Sequence, residues 1–172
     1  MVKKNLPLLA AWMIVSLLIY YFLPDPKLPA NIIIDKILVL KSKRQLLAYS
    51  KRKLIKTYSI ALGFSLKGKK EFEHDGKTPE GIYFIDSKNA HSVCYKNLGI
   101  SYPNAQDKAF ANKYSQQPGE AIKIHGLPNG KGFFGKFHHW FDWTNGCIAV
   151  TDAEVDELYI HVPLGSVIEI KP

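Results

Sequence analysis

The sequence predicts a mainly β fold: a single sheet-rich domain with one or two short helices, preceded by an N-terminal transmembrane helix. Three observations lead there. After residue 30 the apolar text comes in short β-branched runs cut by turn residues. Helical signals with a cap and a stripe are confined to two short stretches, after Asn104 and after Thr151. At the other end, Leu6–Leu23 is a run of 18 residues without a formal charge. As a helix that run reaches about 27 Å, close to the ~30 Å of a bilayer hydrocarbon core. A length of 172 residues suits one domain, and 47% hydrophobic residues with 12% aromatic allow a packed core.

The N-terminal run has flanks that set its orientation. Lys3 and Lys4 precede it, Trp12 lies inside it, and Tyr20 and Tyr21 fall where the far interface is expected. A cleaved signal peptide is the competing reading and a buried helix the third. No small-x-small site follows, and the run ends in Leu23-Pro24-Asp25-Pro26. The division that follows is a basic cytoplasmic end over 1–5 and an anchor in the inner (cytoplasmic) membrane over 6–23. A Pro-rich spacer over 24–30 then leads to a periplasmic or otherwise extracytoplasmic domain over 31–172.

Within the domain, Ile32-Ile33-Ile34 and Ile37–Leu40 read as strand. Leu46–Ser50 and Leu54–Leu62 flank the turn-prone Lys51-Arg52-Lys53 as a hairpin. Gly76, Pro79 and Gly81 punctuate a loop before a short strand over Gly81–Asp86. Asn104 can cap a short helix running to about Tyr114. Ala121–His125 alternates, with Ile122 and Ile124 on one side and Lys123 and His125 on the other. Residues 126–146, rich in glycine, aromatics and histidine, read as a long loop, and long ordered loops in compact domains are usually functional. Thr151-Asp152-Ala153-Glu154 is a capping box followed by an apolar face of Val155, Leu158, Tyr159 and Val162. Pro163 stops that helix, and Val167–Ile170 closes the chain as a strand.

Charge excludes little. Lys and Arg exceed Asp and Glu by 23 to 15, a net +8 that nucleic acid, anionic lipid or an acidic wall polymer would all attract. An extracytoplasmic domain argues against nucleic acid as the partner. Two cysteines cannot build a disulfide framework, and no CxxC pair offers a zinc clip. The chemistry concentrates in His125-Gly126 and, 20 positions on from Gly126, in Gly146-Cys147. Cysteine is a strong nucleophile once a base or positive neighbour makes it thiolate. His125 ends a strand on its polar face, and Gly146 lets the chain turn sharply with backbone N–H groups free for an oxyanion. Such a pair is also compatible with an inert buried Cys and an unrelated His. Zinc is the rival reading, through His125, His138, His139, Asp142 and Cys147. Adjacent strand residues such as His138 and His139 point to opposite faces, which counts against it. Cys94 reads as a small packed hydrophobe between Val93 and Tyr95.

His125-Gly126 followed by Thr144-Asn145-Gly146-Cys147-Ile148 resembles the signature of the L,D-transpeptidase catalytic (YkuD) domain family. Lys77-Thr78-Pro79-Glu80-Gly81-Ile82-Tyr83, Gly99-Ile100-Ser101-Tyr102-Pro103-Asn104 and Val162-Pro163-Leu164-Gly165-Ser166 resemble further family motifs, in the same order. Together they cover about residues 32–172. His before Cys also differs from papain-like and NlpC/P60 peptidases. The resemblance implies a β-sandwich domain acting on peptidoglycan stem peptides, as a monomer without metal or cofactor. It implies Cys147 as nucleophile and His125 as base, with the Gly126 carbonyl orienting the imidazole. Backbone N–H groups around Asn145, Gly146 and Cys147 would form the oxyanion hole, and Thr144, Asn145 and Tyr102 would face substrate. Members attack the carbonyl of the third stem residue, usually a diaminopimelate, expel the terminal D-alanine and pass the acyl group to an amine.

Two positions depart from the common pattern: Asn145 stands where many members have His, and Ala149 where many have Arg or Asn. The substrate's carboxylate contacts are then unassigned, with Lys123, Lys131 and Lys136 as candidates. A carboxypeptidase or endopeptidase, with water as acceptor, is the alternative on the same site. A wall-binding module without turnover is the third reading.

Overall fold

The sequence alternates where the sheet is built. In β1 (Lys36–Leu40), Ile37 and Val39 point inward; in β2 (Gln45–Ser50), Leu46 and Ala48 do so. The computed structural model of the protein describes residues 6–172, and side chains from residue 8. The basic end over 1–5 therefore lies outside the described residues. A hairpin through Lys51 and Arg52, both with positive φ (49° and 69°), joins β2 to β3 (Lys53–Ser59). There follow β4 (Gly81–Ser92), β5 (Tyr95–Ile100), α2 (Ala105–Lys113), β6 (Lys123–His125), β7 (Ile148–Ala149), α3 (Asp152–His161) and β8 (Val167–Lys171). The strands run in the order β3-β2-β1-β8-β4-β5-β6-β7. The β1–β8 and β6–β7 pairs are parallel and the others antiparallel.

The strands form two mixed halves that run into one another, in a single sheet-rich domain with few helices. The long β4 belongs to both halves: Gly81–Phe84 pair with β8, and from Ile85 onward the strand pairs with β5 through two bulges. Beyond β3 the chain returns to the far edge. Ala61 exchanges both backbone hydrogen bonds with Ala149 (2.9 and 2.8 Å), and Gly63 bridges Thr144. The two edges are thus stitched together around a single core of Ile37, Tyr58, Ile85, Leu98, Ile124, Ile148 and Leu158, among others. Closing a sheet on itself removes the unpaired backbone an edge would expose.

The helices follow their caps. Asn104 accepts from Gln106 N and Asp107 N, and Asp107 returns a bond to Asn104 N. Thr151 Oγ1 accepts from Glu154 N (3.3 Å) while Glu154 Oε2 accepts from Thr151 N (2.8 Å), which closes the expected capping box of α3. Val155, Leu158 and Val162 then reach the core beside β5 and β6.

The transmembrane expectation is overturned. No helix among the described residues is long and apolar enough to cross a membrane. The N-terminal helix, α1 (Leu6–Phe22), has 17 residues, and at 1.5 Å per residue about 25 Å of length. It stops because Leu23 precedes Pro24, which disfavours helical backbone at the residue before it. Its last turn packs on the protein. Tyr21 stacks on Phe137 at 5.3 Å and donates its hydroxyl to Phe133 O at 2.6 Å, and Tyr20 lies 6.0 Å from Phe137. Periodicity and charge alone record apolarity, and they do not record these contacts.

The capping box gives a stability test. Thr151→Ala removes the Oγ1 acceptor, and the urea midpoint is expected to fall by the equivalent of ~0.5–2 kcal/mol. An unchanged midpoint would show that α3 is held by packing alone.

Candidate active site

His125 is the last residue of β6 and is 6% exposed. Its Nδ1 lies 2.7 Å from Gly126 O. With the proton on Nδ1 donated to that carbonyl, Nε2 carries the lone pair. The carbonyl is held in turn. Gly126 N–H donates to Lys96 O (3.2 Å), Leu127 N–H donates to Asp152 Oδ1 (2.8 Å), and a Cβ on Gly126 would fall 2.6 Å from Asp152 Oδ1. Glycine is therefore required by packing under α3. Trp143 meets the His125 ring edge-on at 5.7 Å. Burial, and secondarily the Lys123 ammonium, hold the imidazole below its usual pKa, against the bond to Gly126 O.

Cys147 immediately precedes the neighbouring strand, β7. The parallel register pairs Ile124 with Ile148 and His125 with Ala149, and Ile124 and Ile148 point into the core. His125 and Cys147 therefore share the opposite face. The loop before the cysteine is fixed by its own backbone. Thr144 N–H donates to Leu62 O and its carbonyl accepts from Phe64 N–H, while Thr144 Oγ1 donates to Cys147 O at 2.7 Å. Gly146 N–H donates to Thr144 Oγ1 at 3.1 Å. That commitment corrects the expectation of a free donor at Gly146. Among the described residues the N–H groups of Asn145 and Cys147 make no hydrogen bond.

Gly146 has φ +124°, and a Cβ there would stand 2.5 Å from Lys77 O. Gly63 is as confined, 2.2 Å from Gly76 O at its missing Cβ, and its N–H donates to Thr78 Oγ1 at 3.0 Å. The Cys147 thiol, half-buried, points to Ala121 O at 3.6 Å, and the N–H of Lys123 faces the sulfur. Burial raises its pKa more than Lys123 and Lys70 lower it. At rest the sulfur is a neutral thiol turned along β6, without a hydrogen bond to His125 among the described residues.

Other sequence candidates fall elsewhere. Tyr102 is 5% exposed and donates to Pro118 O, which makes it a packing residue. Asn145 is exposed beside the thiol and Ala149 is fully buried. Cys94 and Cys147 are both free thiols. The segment 126–146 is not all loop: Gly132–Trp140 forms a 3-10 segment kinked at Gly135. There His138 and His139 do not diverge as on a strand; their rings approach to 3.9 Å. No group of three or more His, Cys, Asp or Glu among the described residues could hold a metal ion. Trp143, Asp152, Thr78 and Gly63 are the supporting residues the sequence did not single out. Thr78 had a signal, because it stands in the Lys77–Tyr83 motif.

A histidine at the end of one strand and a cysteine at the entry to the next, with the cysteine on a glycine-locked turn, define a candidate thiol site. The model of the L,D-transpeptidase catalytic domain (YkuD) matches residues 34–170, and the chain belongs to that family. A protein provisionally named L,D-transpeptidase YafK, from Escherichia coli (strain K12), is 28% identical over 129 residues, which cover 70% of this chain and 44% of that protein. The chain thus spans less than half the length of this curated relative. The crystal structure of the helical cell shape determining protein Pgp2 from Campylobacter jejuni superposes with a TM-score of 0.61 at 23% identity. It covers 82% of this chain and 48% of its own. Bd1075 of Bdellovibrio bacteriovorus gives 0.56 at 23% identity, over 85% of this chain and 54% of its own. At such identity the likeness is one of fold.

The buried histidine pair makes stability depend on pH. Burial pushes His138 down to about 3 and His139 to about 4, so both are neutral in the fold. The unfolded chain takes up these protons below about pH 6.5. Stability is therefore full above that value and falls as pH drops from ~6.5 toward ~4, by up to about 2.7 kcal/mol per pH unit for two groups. Urea midpoints across this range should show the slope, to which the buried His125 adds with the same sign, and His138→Gln should lower it by one group's share, about 1.4 kcal/mol per pH unit. Equal slopes in both proteins would mean that His138 is not held neutral.

Proposed function

We propose that the chain is a cysteine-dependent L,D-transpeptidase acting on peptidoglycan stem peptides in an extracytoplasmic compartment. The observation that carries this reading is the shared face of His125 and Cys147 beside the locked Gly146 turn, in a chain of this family. The thiol first rotates from Ala121 O toward His125 Nε2, which takes its proton. The sulfur then attacks the carbonyl carbon of the third stem residue. The N–H groups of Cys147 and Asn145 face the developing oxyanion. Collapse breaks the C–N bond, and the leaving amine of the terminal residue takes the proton from Nε2. An acceptor amine gives its proton to Nε2 as it attacks the thioester, and the thiol is restored as that proton returns to sulfur.

Gly126 O keeps the imidazole in the tautomer this sequence needs, the part an Asp plays in serine triads. Water as the acceptor is the second reading. The exposure of Asn145 beside the half-buried thiol favours it, because solvent then reaches the thioester.

Mass spectrometry of a disaccharide-tetrapeptide incubated with the protein, with and without an amine, separates the two acceptors. Cys147→Ser is expected to abolish turnover while leaving the fold intact. His125→Gln should slow acylation by ~10²–10⁴. A Cys147→Ser protein that still released the terminal residue would end the thiol mechanism.

A further inference from the structure

Lys123 stands two residues before His125 on β6, so the two side chains leave the sheet on one face. The register that pairs Ile124 with Ile148 sets Lys123 beside Cys147, with a strand spacing of about 4.8 Å. Its own N–H faces the cysteine sulfur. Across β5 its partner is Gly99, which offers no side chain to cover it.

Of the other ammonium groups around the site, three are committed, and the Lys77 ammonium is turned away toward Gly68. Lys70 is paired with Asp75, Lys96 with Asp156, and Lys136 with Asp25 and Leu23 O. Lys131 is exposed on the far loop. Lys123 is half-buried and makes no ion pair or side-chain hydrogen bond among the described residues. Its charge nevertheless reaches its neighbours, since it lowers the thiols of Cys147 and Cys94 and disfavours protonation of His125. From β7 no cation is offered, because Ala149 is a buried methyl.

In a peptide attacked at the bond before its last residue, the terminal carboxylate lies within about 4 Å of the carbonyl carbon under attack. Other carboxylates of a stem peptide lie further off, on side chains. A flexible lysine on the strand next to the nucleophile spans that short distance.

We propose that Lys123 is a specificity-determining residue that holds the free α-carboxylate of the residue expelled from the scissile bond. Peptides that end at that residue are taken, and peptides whose terminal carboxyl is tied up as an amide are passed over. This rests on the acyl-transfer reading above, and it makes the site one for free stem ends and not for cross-links extending through that carboxyl.

Two measurements on the full chain test it. The first needs no substrate. In a Cys94→Ser background, Cys147 is alkylated with anionic iodoacetate and with neutral iodoacetamide. Lys123→Gln is expected to lower the iodoacetate-to-iodoacetamide rate ratio about fivefold, from a unit charge near 4 Å in water-like surroundings, and Lys123→Arg to keep it. The second compares a tetrapeptide bearing a free terminal carboxylate with its C-terminal amide. The parent is expected to prefer the free acid by ~10–100-fold in kcat/KM, the worth of a charged hydrogen bond. Lys123→Gln should lose that preference mainly through KM, and Lys123→Arg should recover part of it. Equal turnover of both peptides by the parent, or a preference that survives Lys123→Gln, overturns the assignment. A parent that turns over neither peptide overturns the acyl-transfer reading and the substrate assignment with it. An alkylation ratio unaltered by Lys123→Gln overturns the placement of the charge by itself.

Discussion

The site depends on a contact between backbones. Gly63, just beyond β3, lies against Gly76 O and Gly146 Cα, and Gly146 lies against Lys77 O. Three segments remote in sequence meet where side chains have no room. The meeting closes the sheet, because the hydrogen bonds of Ala61 with Ala149 and of Thr144 with Leu62 and Phe64 form across it. It also aims Cys147, because the turn through Gly146 is pressed against a carbonyl that is itself held. Lys77 N–H donates to Asp75 Oδ1, and the same carboxylate gathers Glu71 N–H, Phe72 N–H and the Lys70 ammonium. Those bonds outweigh burial and keep Asp75 below the usual carboxylate range. A half-buried carboxylate outside the sheet thus braces the turn that carries the cysteine.

Electrostatics at the sulfur is a contest that burial wins. Lys123 and Lys70 favour the thiolate, yet removal from water costs more and the thiol stays protonated. The same burial holds the His125 imidazole below its usual pKa, with the Gly126 carbonyl opposing and Lys123 adding to it. A resting pair of two neutral groups has no ion pair to desolvate. In the proposed reaction charge appears only when the sulfur turns to the imidazole. A free ammonium beside such a pair has two effects of opposite sign: it stabilises the thiolate and penalises the imidazolium. A bound anion that neutralises Lys123 would relieve the second effect at the moment the proton must move.

Much of this was legible in the sequence, where the physics is local. The two capped helices, the Lys51-Arg52 hairpin and the placement of His125 at a strand end depend on residues within a few positions of each other. The far half of β4 was not legible. Asp86-Ser87-Lys88-Asn89 lacks β-branched alternation, and its strand geometry comes from pairing with β5 through bulges. Tyr102 was misread because a motif position does not reveal burial. His138 and His139 were misread because the 3-10 turn, which brings adjacent rings together, has no clear pattern in a glycine-rich run. The apolar run before Pro24 was readable as a helix, but its partners were not.

Those partners bear on the site. Gly135 has φ +46°, and a Cβ there would meet Tyr21 Cε2 at 2.9 Å, so this glycine is required both by its backbone and by the N-terminal helix. One residue on, Lys136 donates to Leu23 O at 2.6 Å and pairs with Asp25. From that clamp the chain leads directly to His138, whose Nδ1 faces the Trp143 indole N–H at 3.4 Å, and Trp143 lies edge-on to His125. The segment that separates the histidine from the cysteine in sequence is therefore pinned near its middle by residues 20–25. Its two ends are pinned by Asp152 and by the Thr144 turn. A loop fixed at three points loses little further entropy when substrate binds. That is what the proposed mechanism requires of its surroundings: the frame and the imidazole are held, and the cysteine side-chain torsion is left to move.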